Sequence, residues 1–143
     1  MSNNFETNDN GGWVVPNKTT IPVNTVIPSY SILGYECVLG SECRLGDRCS
    51  LGSECRLGDR CSLGDRCRWL NLEVSRWLTI ANVDGSGRVI NIVQGADGNI
   101  KIEAGCFCGT VDEFVDRAKK ENKHIYVAVI PAVVTAMKDE GKK

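Results

Sequence analysis

The stretch LGYECVLGSECRLGDRCSLGSECRLGDRCSLGDRCR, residues 33–68, repeats one unit six times in succession. Each unit reads Leu-Gly-x-x-Cys-x, so leucine and cysteine both recur every six residues. A short fixed period indicates a repeat architecture, because each unit can bury its apolar side chain only against neighbouring units. The period therefore predicts the architecture of the first half of the chain.

The same register extends towards the N-terminus, beyond the first cysteine. A branched aliphatic residue is followed four positions later by a small residue in nine consecutive hexapeptides, from Val15 to Arg68. In the three earliest units the aliphatic residues are Val15, Ile21 and Ile27, and the small residues are Thr19, Thr25 and Ser31.

This pattern resembles the hexapeptide-repeat family over residues 15–68. The resemblance implies a left-handed parallel β-helix, in which three hexapeptides form one triangular coil and equivalent residues lie 18 positions apart. Nine hexapeptides then make about three coils, with parallel strands stacked about 4.8 Å apart. The aliphatic position would point into the prism, with Ile21, Leu39 and Leu57 stacked on one another. The glycine that follows would occupy a tight corner, where either a positive φ or a lack of room excludes a side chain.

Six of the eight cysteines occupy the small position of the repeat: Cys37, Cys43, Cys49, Cys55, Cys61 and Cys67. Cysteine is a small residue that is often buried, so we expect a reduced ladder inside the prism. Disulfides between stacked cysteines are an alternative with poor geometry, because the Cβ vectors would run parallel. Zinc is a further alternative, but its ligand pairs are usually separated by two to four residues rather than five. We expect no metal and no cofactor.

Composition limits the function classes. The net charge is −1 over 143 residues, which argues against generic binding of nucleic acid by a basic surface. No apolar run is long enough to span a membrane, and eight cysteines without a secretory signal favour the cytoplasm. We divide the chain into a flexible N-terminal tail, 1–14, the repeat, 15–69, and an α+β module, 70–143. Within the tail, Trp13 is placed to cover the open end of the first coil.

The repeat ends at Trp69, because its next small position is Glu73, whose carboxylate cannot be buried alone. Trp69 and Trp77 are natural capping groups for the open end. In the second half, residues 77–83, 88–93 and 99–103 are predicted strands, and Asp97-Gly98 indicates a hairpin. A capping box at 110–113 begins a helix. Residues 125–138 have helical spacing, and Pro131 favours a start near it or after a short extended piece. The predicted fold class is mainly β: a short left-handed β-helix followed by hairpins and one or two helices.

The motif IKIEAGCFCGT at 100–110, followed by Val-Asp-Glu-Phe, resembles small uncharacterised phage and prophage accessory proteins over residues 69–138. The resemblance implies a phage origin and, since accessory phage proteins often act against host defence, an anti-defence role.

The charged positions of the repeat point outwards. Stacking at 18 residues places Glu42 over Arg60, an attractive pair, and Arg48 over Arg66, a like-charge pair beside Asp47 and Asp65. This surface is either a mutually neutralised, solvated one or an arginine ledge for phosphates.

The chain carries little catalytic chemistry. Its single histidine, His124, lies outside the repeat, and we expect no catalytic residue and no enzyme activity. Cys106 and Cys108 precede a helix N-terminus, where a thiolate is stabilised, and Gly109 and Thr110 offer amides to an anion there.

Three functions of different classes stay open. The first is a binding protein that sequesters a small host ligand, such as a signalling nucleotide, at a subunit interface. Its expected ligand-binding residues are Arg66, Arg68, Trp69, Arg76 and Trp77, with a base on tryptophan and phosphate on arginine. The second is a homo-oligomeric, trimeric scaffold that presents the C-terminal module to a host protein. The third is a degenerate acyltransferase that depends on His124.

Overall fold

The structure is a computed structural model that describes residues 5–105 and 107–141. The chain divides into two compact units, Met1–Val74 and Ser75–Lys143.

The first unit is a solenoid of about three turns, built from very short strands. Three parallel ladders run along it, each joining strands 18 residues apart, so that Leu33 pairs with Leu51 and Leu39 with Leu57. The predicted β-helix of stacked coils is confirmed at this level, and its left hand stays an inference from the family resemblance. The strands are β1 Glu6–Thr7, β2 Trp13–Val15, β3 Thr20–Ile21, β4 Val26–Ile27, β5 Ile32–Leu33, β6 Val38–Leu39, β7 Arg44–Leu45, β8 Ser50–Leu51, β9 Arg56–Leu57, β10 Ser62–Leu63 and β11 Arg68–Trp69.

Each of the strands β3–β9 carries one inward and one outward side chain. The aliphatic residue of each hexapeptide is buried at these strands, as the repeat predicts, while the preceding residue is outside or half-buried. Side chains alternate across a strand, so two residues suffice to place one side chain in the core and one outside. The core of the solenoid is therefore a column of stacked aliphatic residues on each side of the prism.

The repeat glycines are required for space and not for a positive φ. A Cβ at Gly52 would lie 2.6 Å from the carbonyl carbon of Gly34, and one at Gly46 would lie 2.6 Å from the amide nitrogen of Ser29. Positive φ falls instead on the residue before each cysteine or its equivalent, for example 57° at Arg48 and 60° at Arg66. The sequence left two explanations for the repeat glycines. The close approach of neighbouring coils is the correct one, and a positive φ at the glycines is not.

The six repeat cysteines are free thiols, and all but the half-buried Cys61 are buried. Each thiol donates to the backbone carbonyl 21 residues earlier, from Cys37 to Pro16 at 3.3 Å through Cys67 to Gly46 at 3.2 Å. The predicted ladder of inward cysteines is therefore confirmed, and its thiols also donate to carbonyl groups of the coil beneath.

Both ends of the solenoid are hairpins that the sequence did not indicate. Residues 5–14, expected to be a flexible tail, form a hairpin in which β1 pairs antiparallel with β2. Asn8 ties its loop, because the side-chain oxygen accepts from Gly12 and the side-chain nitrogen donates to the Tyr30 carbonyl. The ring of Phe5 lies 5.4 Å from that of Trp13.

At the other end the chain reverses through Leu70 and Asn71, which have φ of 53° and 60°. This two-residue turn has the positive φ values of a type I′ hairpin. It places Leu72 opposite Trp69, and both residues are buried. Glu73 is exposed, in agreement with the argument that its carboxylate could not continue the interior.

The second unit contains an antiparallel sheet and two helices. Its strands are β12 Leu72–Ala81, which begins in the first unit, β13 Val89–Gly95, β14 Ile100–Ala104 and β15 Phe107–Gly109; its helices are α1 Val111–Lys120 and α2 His124–Gly141. Isoleucines of β13 and β14 pack against Phe114 and Ala118 of α1 and against Tyr126, Ile130 and Val134 of α2.

Three expectations for this unit need correction. β12 begins five residues before the predicted strand at 77–83, and β15 was missed. The last segment is one helix from His124, with Pro131 in its interior and no extended piece before it. The capping box is confirmed, since Thr110 accepts from the Glu113 amide and the Glu113 carboxylate accepts from the Thr110 amide.

Candidate functional site

The five residues expected to bind a ligand are divided between the two units. In the first, Arg66 and Arg68 are exposed, whereas Trp69 is only 1% exposed and its indole N–H has no hydrogen-bond partner among the described residues. A base therefore cannot stack on Trp69 in this conformation. In the second, Arg76 and Trp77 lie half-buried on β12. Neither unit alone contains all five, and their part in ligand binding stays a prediction.

The first unit brings together a different set of residues around Arg66. We call Tyr30, Arg48 and Arg66 the corner column, because they occupy equivalent positions 18 residues apart at one corner, each with a positive φ. Backbone hydrogen bonds tie successive levels of this corner, from the Tyr30 amide to Asp47 at 2.9 Å and from the Arg48 amide to Asp65 at 2.8 Å. The predicted stacking of Arg48 and Arg66 thus has an aromatic residue at its base.

Arg48 is held in place by Tyr30. Its guanidinium donates to the Tyr30 hydroxyl at 3.1 Å and lies 5.8 Å from the centre of the Tyr30 ring. A cation near an aromatic ring is attracted by the ring quadrupole, which restricts the side chain before any ligand arrives.

Asp47 and Asp65 lie beside the two arginines. An Asp47 carboxylate oxygen accepts from the Asp65 amide at 2.8 Å, so Asp47 serves partly to bridge the coils. Together with Arg48 and Arg66 they line a shallow groove of about 290 Å³. This volume is near the lower end of the range for small-molecule sites.

Arg66 is the unsupported member of the corner column. Within residues 5–105 and 107–141 it forms no ion pair or hydrogen bond through its side chain, whereas Arg60 on another corner pairs with Glu42 at 3.3 Å as predicted. Two guanidinium groups in register, one fixed and one available, can hold the oxygens of a phosphate. The groove also offers carboxylate oxygens, which accept from hydroxyl groups.

The helix N-terminus expected to hold an anion is occupied by the protein itself. The Glu113 carboxylate accepts from the Thr110 amide at 2.9 Å, and this hydrogen bond lowers the pKa of Glu113. A Cβ on Gly109 would lie 3.0 Å from the same carboxylate. An external anion at Gly109 and Thr110 would have to displace Glu113, so the structure argues against this site.

The thiol chemistry suggested for Cys106 and Cys108 finds no support. Cys106 lies outside the described residues. Cys108 is exposed on β15, opposite Glu103. Desolvation of its thiol by neighbouring atoms, together with the Glu103 carboxylate, raises the pKa of that thiol. A reactive cysteine needs the opposite shift. Over the part of the chain that the structure describes, no three histidine, cysteine or acidic residues converge to hold a metal.

Tyr30 is a residue of the candidate site that the sequence did not single out. The 18-residue spacing does indicate it, because Tyr30 precedes Arg48 by the same 18 residues that separate Arg48 from Arg66. Extending that register one coil further would have found it.

The chain matches no protein-family model, no curated protein and no solved structure. The fold itself defines a β-solenoid with an α+β unit. Among the residues that the structure describes, neither helix has the combination of length and hydropathy that a membrane-spanning segment requires.

Proposed function

We propose that this chain is a non-enzymatic binding protein for a small phosphate-bearing ligand, held at the corner column. The observation that carries the proposal is the in-register pair of Arg48 and Arg66, with Arg48 held by Tyr30 and Arg66 available. A phosphate bridging the two guanidiniums would relieve their mutual repulsion and add charge-assisted hydrogen bonds.

The mixed charge of the groove supports a nucleotide as the ligand. Arginines alone would suit any phosphate, whereas the carboxylates of Asp47 and Asp65 can also accept from ribose hydroxyls. Sequestration of a host signalling nucleotide in the cytoplasm, by a protein of phage origin acting against host defence, is the biological form of this proposal. The fold contributes a rigid corner, because backbone hydrogen bonds fix the spacing of successive levels.

The test is isothermal titration of the full chain with a panel of cyclic nucleotides and ADP-ribose derivatives. We expect one of them to bind, and Arg66→Ala to weaken binding by about tenfold or more, since hydrogen bonds to charged groups typically contribute about 1.5–3 kcal/mol. Arg56→Ala is the matched control, because Arg56 is also exposed on the solenoid but lies on β9, away from this groove. Equal loss in both variants would show nonspecific charge attraction and contradict the site.

A homo-oligomeric scaffold is the second candidate, favoured by apolar side chains exposed on the first coils. Val26 is 69% exposed and Ile32 50%, and Ile32 pairs with the exposed Val14 on a neighbouring strand. Exposed apolar patches on soluble domains often mark association surfaces. Native mass spectrometry would show a trimer that Ile32→Glu dissociates and that Ser62→Glu, on another exposed outward position, leaves intact. A monomeric native chain would exclude this function.

The acyltransferase alternative gains nothing from the geometry. His124 is exposed at the first residue of α2, in the second unit and not on the solenoid.

A further inference from the structure

The second unit contains a cationic cleft that the proposed function does not use. It is lined by three basic side chains, Arg88, Arg117 and Lys123, by the carboxylate of Glu121 and by the aromatic rings of Phe107, Phe114 and Tyr126. The charged groups lining it sum to +2.

The three basic groups all act on the carboxylate of Glu121. Arg117 donates to Glu121 at 2.9 Å and lies 5.5 Å from the centre of the Phe107 ring. Arg88 and Lys123 act on the same carboxylate, since all three cations lower the pKa of Glu121. Within the described part of the chain, the side chains of Arg88 and Lys123 form no ion pair and no hydrogen bond. The single carboxylate of Glu121 therefore does not neutralise the three basic groups.

Tyr126 adds a second and independent observation. It is 2% exposed, and its hydroxyl forms no hydrogen bond of good geometry with the described residues, while the side chains of Ser86 and Asp84 lie close enough to shift its pKa. Its ring packs 5.8 Å from that of Phe114, on the wall of the cleft. A buried hydroxyl that lacks a well-formed hydrogen bond is costly, and a bound water or ligand oxygen would supply one.

The size of the cavity limits what can enter. Its volume is about 10 Å³, which is close to the least that accommodates one water molecule or one oxygen atom. A whole organic ligand cannot fit, but one oxygen of a tetrahedral oxyanion can enter while the others stay outside the cavity.

We propose that this cleft is a second ligand site, which binds the phosphoryl group of a phosphate or phosphate monoester, with Arg88, Arg117 and Lys123 as its cationic contacts and the Tyr126 hydroxyl as a donor to the innermost oxygen. The aromatic wall excludes water from one side and thereby strengthens the interactions of the three cations. Asp84, whose carboxylate lies near enough to raise the pKa of Tyr126, reduces the local charge to +1 and leaves it positive. A phosphoryl group offers three terminal oxygens to the three cations, whereas a carboxylate offers two.

The proposal is independent of the corner column, because every residue in it belongs to the second unit. Its test is titration of the full chain with inorganic phosphate, followed by chemical shifts of the backbone amides of α1. We expect saturable shifts, and we expect Arg88→Gln, Lys123→Gln and Tyr126→Phe each to raise the apparent Kd by about tenfold, as loss of one charge-assisted hydrogen bond does.

Lys120→Gln is the matched control, because Lys120 is an exposed residue of the same helix that does not line the cleft. Because Arg88 is exposed, Arg88→Gln should not disturb the core, and it tests the site even if Tyr126→Phe alters the packing. Titration with acetate separates the two kinds of oxyanion, and we expect it to bind at least about tenfold more weakly than phosphate. The proposal is overturned if phosphate causes no saturable shift, which would leave a bound water at Tyr126, or if Lys120→Gln weakens binding as much as Arg88→Gln. Equal affinity for acetate would overturn the phosphoryl assignment.

Discussion

Replacement of Gly52 by alanine tests the central geometric claim about the solenoid. The new Cβ would lie 2.6 Å from the carbonyl carbon of Gly34 and 2.7 Å from the amide nitrogen of Tyr35, both backbone atoms of the coil beneath. Ordinary contacts between carbon atoms are about 3.5–4.0 Å. Two coils would therefore have to separate locally by several tenths of an ångström, at the expense of hydrogen bonds such as that from Glu36 to Ser53, 2.7 Å long. Overpacking of this kind costs about 1–3 kcal/mol, and we expect Gly52→Ala to fall at the upper end.

Gly11 supplies the contrast within the same unit. It has a φ of +83°, and no atom lies within 4 Å of a Cβ built on it. Gly11→Ala should therefore cost about 1 kcal/mol for the left-handed backbone alone. Asparagine tolerates that conformation better than alanine, so Gly11→Asn should recover part of the loss, whereas Gly52→Asn should be at least as damaging as Gly52→Ala.

The stability of each variant is measured by urea denaturation followed by far-ultraviolet circular dichroism. Tryptophan fluorescence is recorded in parallel, because two transitions that do not coincide would show that the two units unfold separately. Rescue of position 52 by asparagine, or a Gly52→Ala midpoint no lower than that of Gly11→Ala, would refute the argument from close approach.

Three further predictions concern separate parts of the molecule. Leu51→Asp should unfold the solenoid, because it buries an unpaired carboxylate in the third coil, whereas Ser50→Asp on the outward side should not; circular dichroism distinguishes them. Hydrogen bonds from Ser86 lower the pKa of Asp84 to about 2. The stability that this carboxylate contributes is therefore present above its ordinary pKa and is lost as pH falls towards 2. In Ser86→Ala, a carboxyl titration followed by NMR should show a higher pKa for Asp84, and an unchanged value would contradict the assignment. Among the described cysteines, brief treatment with iodoacetamide should modify Cys108 well before the buried thiols of the solenoid, as peptide mass mapping would reveal; early modification of the ladder would contradict its burial.

The repeat predicts the solenoid well because its physics is local and recurrent. A branched residue such as Leu45 must be inside and the glycine that follows must lie against the coil beneath, so six residues determine each side of the prism. The free thiols follow from the same restriction on size. The surface pair of Glu42 and Arg60 follows from the 18-residue spacing alone.

The exit from the solenoid could not be predicted in the same way. The sequence signal for a two-residue hairpin is Asn-Gly or Asp-Gly, whereas this turn contains Leu70 and Asn71. Burial of Trp69 against the solenoid and of Leu72 opposite it compensates a leucine with positive φ. Tertiary packing overrides the local preference here, and the start of β12 was placed too late for the same reason.

The candidate sites were predicted only in part. Arg66 and its stacking on Arg48 came from the register, which also placed Trp69 inward; the sequence did not indicate the hairpin that pairs Trp69 with Leu72. Likewise, the cleft of the second unit brings together Arg88 and Lys123, 35 positions apart in the sequence, through packing of the helices on the sheet. Neither residue belongs to a ligand-binding motif; Lys123 stood out in the sequence only as a basic residue near the end of a helix.

The hexapeptide of the solenoid also constrains how such a chain can evolve. Residues 42–53 and 54–65 differ only at their last position, which indicates a duplication of two hexapeptides within a coil of three. Gain or loss of any multiple of six residues keeps leucines inside and glycines at the corners, so the composition of the core is unchanged. The surface does change, because an insertion or deletion of twelve residues moves every charged residue after it by two sides of the prism. Copying errors in this gene segment can therefore create new surface combinations without endangering folding, and only a change of eighteen residues returns each charge to its former side.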